Sequence, residues 1–231
     1  MGNLCIIPAR GGSKRIPRKN IKDFLGKPII AYSIETALQS GLFEEVMVST
    51  DDPEIAKVAR RYGAKVPFFR SEKNSGDYST TADVLLEVLD EYKVRKLTFE
   101  YACCIYATAP LVRQRDLNDG YHKLVNEGRS SVFPVVKFSY PIWRGLKILE
   151  RGQVEMIWPE HINSRSQDLT DVYHDVGQWY WFGVGDLVKS NRVFSGNSAC
   201  IELSALNVQD IDDDMDWQMA ELKYELLQSL K

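Results

Sequence analysis

The chain has 231 residues, room for one large domain or a domain with a projecting lobe. Lysine and arginine total 29 against 32 aspartate and glutamate, so a net charge of -3 leaves no global basic field for a nucleic-acid backbone. Hydrophobic residues make up 44% and charged residues 26%, ordinary globular usage, and no apolar run approaches the ~20 residues that span a bilayer. The opening Met1-Gly2-Asn3-Leu4-Cys5-Ile6 lacks the basic-then-apolar layout of a secretion signal, and Ile6 stands where a myristoylation signal takes Ser or Thr. A cytoplasmic protein is expected. Cys5, Cys103, Cys104 and Cys200 have no metal-type spacing and read as four free, small hydrophobes.

Residues 4–8 form an apolar burst of strand length, followed by a loop rich in glycine and basic side chains. Pro28 suits the first turn of a helix carrying Ile29, Ile30, Tyr32, Ile34 and Leu38, with Gly41 as its stop. The unit then recurs: Val46–Thr50 as a strand, Asp51-Asp52-Pro53 as a helix start, Ile55–Tyr62 as the helix and Gly63 as its end. Thr80-Thr81-Ala82-Asp83 resembles a capping box before a third helix, and Tyr101–Ala107 is a continuous apolar strand that Pro110 ends. A helix over 114–127 leads to a strand over 131–136, and this alternation predicts a parallel, doubly wound sheet. From Trp143 the texture changes: residues 146–158 alternate around Arg151-Gly152 like a hairpin, a β lobe inserted before the sheet resumes at Trp179–Phe182. Met215–Leu230 closes the chain as an amphipathic helix.

Three constellations carry chemistry. Between Ala9 and Asn20 lie five cations (Arg10, Lys14, Arg15, Arg18, Lys19) and the glycines Gly11 and Gly12, directly after the first strand. In an open α/β sheet ligands sit beyond the carboxyl ends of strands, where glycine lets backbone N–H groups approach phosphate oxygens and Arg and Lys neutralise them. The expected ligand is a polyphosphate, although the run matches neither the P-loop nor the dinucleotide fingerprint and could be a solvated basic loop. Second, Asp210-Ile211-Asp212-Asp213-Asp214-Met215-Asp216 precedes the last helix. In extended chain Asp210 and Asp212 point the same way, as one Mg²⁺ would require, while Asp214 or Asp216 suits a helix cap. An EF-hand reading (Asp210, Asp212, Asp214, Glu221) fails at its turn glycine, replaced by Met215. Third, Arg165 and Gln167 offer a bidentate cation and an amide to a sugar acid, followed by His174-Asp175 and the aromatics Trp179–Phe182, which suit sugar stacking or core packing. Adjacent strand residues face opposite ways, which argues against His174 and Asp175 as an acid/base pair.

Ile6–Asn20 with Val48-Ser49-Thr50-Asp51 resembles the opening of the acylneuraminate cytidylyltransferases, and Arg70, Ser79-Thr80, Thr108-x-Pro110, Arg165-x-Gln167-Asp168 and Asp210-Ile211-Asp212 follow in the order of that family. The resemblance covers nearly the whole chain. It implies one domain over 1–231 with a Rossmann-like, mostly parallel sheet of the nucleotide-diphospho-sugar transferase type and a dimerisation lobe at about 138–170. It also implies transfer of CMP from CTP to a nine-carbon 2-keto (nonulosonic) sugar acid with Mg²⁺, by a homodimer. Carried over residue by residue, Arg10, Gly11, Gly12, Ser13, Lys14, Asn20, Arg70 and Ser79 would bind the nucleotide. Tyr106, Arg165, Gln167, His174 and Tyr180 would bind the sugar, Asp210 and Asp212 the metal, with Arg10, Lys14, Arg165 and Asp212 catalytic. Where sialic acid relatives have Gln-Pro-Thr-Ser-Pro, residues 106–110 read Tyr-Ala-Thr-Ala-Pro, which exchanges an amide for apolar surface and favours a deoxygenated acid such as pseudaminic acid. Legionaminic and N-acetylneuraminic acids are the alternatives, the eight-carbon octulosonate a more distant one, and a non-catalytic nucleotide-sugar sensor the alternative of another class.

Overall fold

Strand β1 (Leu4–Pro8) alternates its side chains between two faces of a sheet that is covered on both, which is why it reads as an unbroken apolar run. The computed structural model describes residues 2–230. After β1 come the short pair β2 (Asp23–Phe24) and β3 (Lys27–Pro28), then α1 (Ile29–Ser40), β4 (Glu45–Ser49), α2 (Pro53–Arg61) and α3 (Thr81–Val94). Next are β5 (Tyr101–Ile105), α4 (Gln114–Asn126), β6 (Ser131–Lys137) and the hairpin β7 (Leu146–Ile148) with β8 (Val154–Met156). The chain ends with β9 (Tyr173–Asp175), β10 (Trp179–Gly183), α5 (Val184–Ser190), β11 (Ser198–Glu202) and α6 (Asp214–Ser229).

The main sheet has the order β11-β6-β10-β5-β1-β4, with β9 added to β6. β1 pairs in parallel with β4 and β5, and β6 with β11, while β10 runs antiparallel between β5 and β6, so five of the seven strands share one direction. On one face Cys5, Ile7, Val46 and Val48 pack with Ile30 and Ile34 of α1, Ile55 and Ala59 of α2 and Leu117 of α4. On the other, Leu4, Ile6, Met47 and Cys104 pack with Leu85, Val88 and Tyr92 of α3 and Leu187 of α5. Gly120 lets α4 approach β10: a Cβ there would lie 2.5 Å from the Trp179 ring. Among the described residues no helix is long and apolar enough to cross a membrane.

The caps follow the sequence. Thr80 and Asp83 form a reciprocal capping box on α3, and Asp52 accepts from the backbone N–H groups of Glu54 and Ile55 to cap α2. Asp213, not Asp214, caps α6, with Asp216 completing the box. That helix begins at Asp214, so residues 214–221, the later part of the loop an EF-hand would need, are helical.

Several expectations are corrected. The strand expected over Tyr101–Ala107 stops at Ile105; Tyr106 N–H adds one further cross-strand bond, to Gln178 O opposite it, and the chain then leaves the sheet. Cys5, Cys103 and Cys104 are buried, yet Cys200 is exposed on the edge strand β11; all four are free. In the lobe the β7–β8 hairpin forms around Arg151 and Gly152, both with positive φ, and its Leu146, Ile148 and Val154 are exposed. Trp143 and Trp158, also on the lobe, are half-buried against each other, ring centroids 5.5 Å apart.

Candidate active site

Beyond the carboxyl ends of β1, β4 and β5 the loops enclose a cleft of about 430 Å³. Its walls include Arg10, Ser13, Lys14, Asn20, Arg70 and Ser79, every non-glycine side chain expected to meet the nucleotide, together with Tyr106. The loop after β1 is built rather than loose. Asn20 is buried and donates its amide N–H to Arg10 O at 2.9 Å, and Gly11 N–H donates to Asp51 Oδ1 at 2.9 Å. A Cβ on Gly11 would lie 2.7 Å from Asp52 Oδ2, so only glycine passes between this loop and the cap of α2. Arg18, in the left-handed region at φ 55°, turns away from the cleft to grip Asp52 and Glu54.

The other cations each hold an internal partner. Arg10 and Lys14 both pair with Asp77, Arg10 at 2.7 Å. Arg15 pairs with Asp212 at 2.7 Å. Lys19 donates to Ile211 O at 2.6 Å and stands 4.0 Å from Asp212; burial pulls its pKa down against the opposing pull of Asp212 and Asp210. Lys19 was not among the expected site residues, although it lines the cleft. Its membership of the basic run was visible, but its reach to residues nearly two hundred positions away was not. Arg70 is buried, with Nε on Ser49 Oγ at 3.0 Å and Nη2 on Ser49 O at 2.5 Å; burial lowers its pKa, opposed by Asp51 and Glu87.

The acidic segment meets the basic loop through the core. Ile211 packs with Ile16, Phe24, Ile29 and Trp217, which anchors the middle residue of Asp210-Ile211-Asp212 and leaves its two neighbours on the solvent side. Asp210 is pushed above the ordinary carboxylate range, first by desolvation and then by Asp212. Asp210 and Asp212 line a second cleft of about 470 Å³ with His174 and Lys223, and Arg15 and Lys19 reach Asp212 from the first. Lys223, also absent from the expected set, donates to Val208 O at 2.6 Å and to Gln209 Oε1 at 3.0 Å, holding the approach to the carboxylates. Among the described residues no three His, Cys, Asp or Glu side chains converge as a self-sufficient metal site. Two hard-oxygen carboxylates that repel each other, with Arg15 and Lys19 of the basic loop reaching Asp212, do fit Mg²⁺, which takes one or two protein carboxylates and fills its octahedron with phosphate and water.

The sugar candidates are dispersed. Tyr106 lies in the first cleft, its hydroxyl 2.6 Å from Thr81 Oγ1 and its pKa raised by burial. Tyr180 is buried behind it, edge-to-face at 5.7 Å, and donates to Asp175 Oδ2 at 2.5 Å, so the structure places it beneath the cleft surface rather than on it. His174 faces the second cleft, where its ring packs on Phe138 and Nδ1 meets the backbone oxygen of Asp175 at 2.9 Å; there is no imidazole–carboxylate dyad. Arg165 rides on the lobe in a bidentate pair with Asp168, at 2.7 and 3.1 Å, and Gln167 lines a separate cavity of about 260 Å³ at the base of the lobe. Neither lines either of the two clefts.

A mostly parallel sheet with a basic glycine loop facing a carboxylate pair defines an enzyme that handles nucleotide polyphosphates. The chain belongs to the cytidylyltransferase family, whose profile matches residues 4–142, and it is a nucleotidyltransferase. It is 44% identical to a pseudaminic acid cytidylyltransferase of Campylobacter jejuni over 98% of this chain and 97% of that protein. It is 32% identical to a CMP-N,N'-diacetyllegionaminic acid synthase of Legionella pneumophila over 97% of each. Among solved structures, a CMP:2-keto-3-deoxy-manno-octonic acid synthetase complexed with CTP superposes with a TM-score of 0.71 at 20% identity, covering 99% of this chain and 100% of that one, and shares the fold.

Proposed function

We propose that the protein transfers CMP from CTP to the anomeric hydroxyl of pseudaminic acid, a nine-carbon 2-keto sugar acid, and releases pyrophosphate. The observation that carries this reading is the full-length 44% identity to a pseudaminic acid cytidylyltransferase, on a chain whose candidate nucleotide residues line one cleft. In-line attack of the anomeric oxygen on the α-phosphorus leaves negative charge on the departing pyrophosphate, and Arg10 and Lys14 are the cations placed to meet it. Asn20 and Gly11 fix the loop that carries them. Arg70 and Ser79 are the candidates for the cytosine and ribose end of the cleft. Asp210 and Asp212 would hold Mg²⁺, which would neutralise phosphate oxygens and orient the triphosphate.

The apolar Tyr106-Ala107 pair supports a deoxygenated sugar acid, and the L. pneumophila relative keeps the legionaminic analogue as the second substrate to test. A cytoplasmic homodimer is part of the proposal. Exposed Leu146, Ile148 and Val154 on the hairpin supply an apolar face for a second copy. Arg165 and Gln167 ride on the lobe, so their sugar role requires the lobe to be carried over a cleft, which such a second copy supplies. The test is pyrophosphate release from CTP and Mg²⁺ with pseudaminic, legionaminic and N-acetylneuraminic acids in parallel, with and without chelator. Chelator-sensitive release with pseudaminic acid alone is the expected result. Release with another acid reassigns the sugar, and silence with all three removes these acids as substrates and leaves a different sugar acid or a nucleotide-sugar sensor.

A further inference from the structure

The segment between β4–α2 and α3 returns to the basic loop at one residue. Its base is fastened to α3: Ser71 N–H and Oγ donate to the two carboxylate oxygens of Glu87 at 2.7 and 2.8 Å, and the Asn74 amide donates to the same carboxylate. The segment braces itself through Ser75 Oγ on Ser71 O at 2.8 Å and Ser79 Oγ on Lys73 O at 3.0 Å. Its tip, Asp77, has among the described residues only Arg10 and Lys14 as side-chain partners, one cation on each carboxylate oxygen. These two cations hold their carboxylate depressed, Lys14 first and Arg10 second.

We propose that Asp77 is an internal competing anion: it occupies the two triphosphate cations, yields them when CTP seats, and reclaims them as pyrophosphate leaves. The proposal rests on the reading of Arg10 and Lys14 as the pyrophosphate cations. Asp77 and both partners remain partly in solvent, side-chain exposures 42%, 35% and 76%, and ion pairs of that kind are individually weak. A polyphosphate brings several charges and charge-assisted hydrogen bonds against one carboxylate, so it displaces Asp77. Once the diphosphate is cut free of the nucleotide, the tethered carboxylate competes for the same cations at the millimolar effective concentration of a short intramolecular link. The consequence is faster product release, at the expense of weaker apparent binding of any polyphosphate by the factor with which Asp77 occupies the site.

Asp77→Asn removes the charge and keeps the shape. Calorimetric titration with inorganic pyrophosphate should give a Kd about three- to tenfold tighter for Asp77→Asn than for the wild type, the range two exposed ion pairs support. Asp77→Glu should restore wild-type affinity, and CMP, which lacks the β- and γ-phosphates, should bind all three proteins equally. A purely structural brace gives the opposite sign, because loosening the segment weakens the site. Pyrophosphate affinity unchanged or lowered in Asp77→Asn, or equal tightening of CMP, overturns the proposal. Arg10→Ala in the same titration separates the two levels: loss of pyrophosphate binding there with no gain in Asp77→Asn sinks the competing anion alone. Intact binding in Arg10→Ala, or no binding by any variant, sinks the reading of the loop together with it.

Discussion

Arg10 lies on the loop after β1 and lines the first cleft, while Asp212 follows the buried Ile211 and lines the second. Arg10→Ala should reduce kcat/KM for CTP by on the order of 10²-fold with a smaller effect on the sugar KM, because it removes charge from the leaving-group end. Steady-state kinetics with each substrate varied in turn checks this, and a selective rise in sugar KM would remove Arg10 from that role. Asp212→Ala should depress turnover by on the order of 10²-fold or more while Tm stays near the wild type. Asp212 is partly exposed and its paired Arg15 is mostly in solvent, so little folding energy is lost with it. These two residues were legible in the sequence as chemistry. Lys19 and Asp77 were not, since a lysine or aspartate becomes informative only through the partner it reaches.

At the scale of the element, caps and close approaches decide stability. The Arg18 guanidinium, followed by the Ile55 and Glu54 backbone N–H groups, holds the Asp52 carboxyl at about 2, below its ordinary value. A group depressed on folding stabilises the native state above its unfolded pKa and loses that contribution as pH falls toward the folded value, here between about 4 and about 2. Asp52→Asn should therefore flatten the acid side of the stability-versus-pH curve in that window, measured by denaturant titration at stepped pH; an unchanged slope would separate Asp52 from acid stability. Gly120 makes a second element-scale prediction. An added methyl would meet the Trp179 ring at 2.5 Å, so Gly120→Ala should destabilise by about 1–3 kcal/mol, despite alanine's better helix propensity, as seen in a lowered Tm. A gain in stability would show that α4 shifts freely over β10. Helix and strand positions were readable because apolar periodicity is local, whereas the role of Gly120 depends on a strand that comes sixty residues later.

At the scale of the molecule, the lobe is the open surface. Leu146, Ile148 and Val154 project from a two-stranded hairpin too small to bury them. Ile148→Asp should convert a species of twice 26.4 kDa to one of 26.4 kDa in size exclusion with light scattering, without unfolding the main sheet. A monomeric wild type at micromolar concentration would contradict the dimer. The lobe also carries Arg165 and Gln167, so turnover that falls with dilution in step with dissociation would tie the sugar site to the second copy.

The alternating pattern of apolar strands and amphipathic helices, the Thr80–Asp83 capping box, the basic glycine loop and the Asp210–Asp212 pair all followed from residue order, because each depends on neighbours within a few positions. Direction and contact across the sheet did not. That β10 enters antiparallel between β5 and β6, that Tyr180 lies behind Tyr106, that Arg165 stays on the lobe with Asp168, and that Asp77 closes on Arg10 and Lys14 were decided by tertiary structure. Each joins segments that the chain holds apart and only packing of the core brings within hydrogen-bonding or van der Waals range, or else depends on which surface a shared element faces.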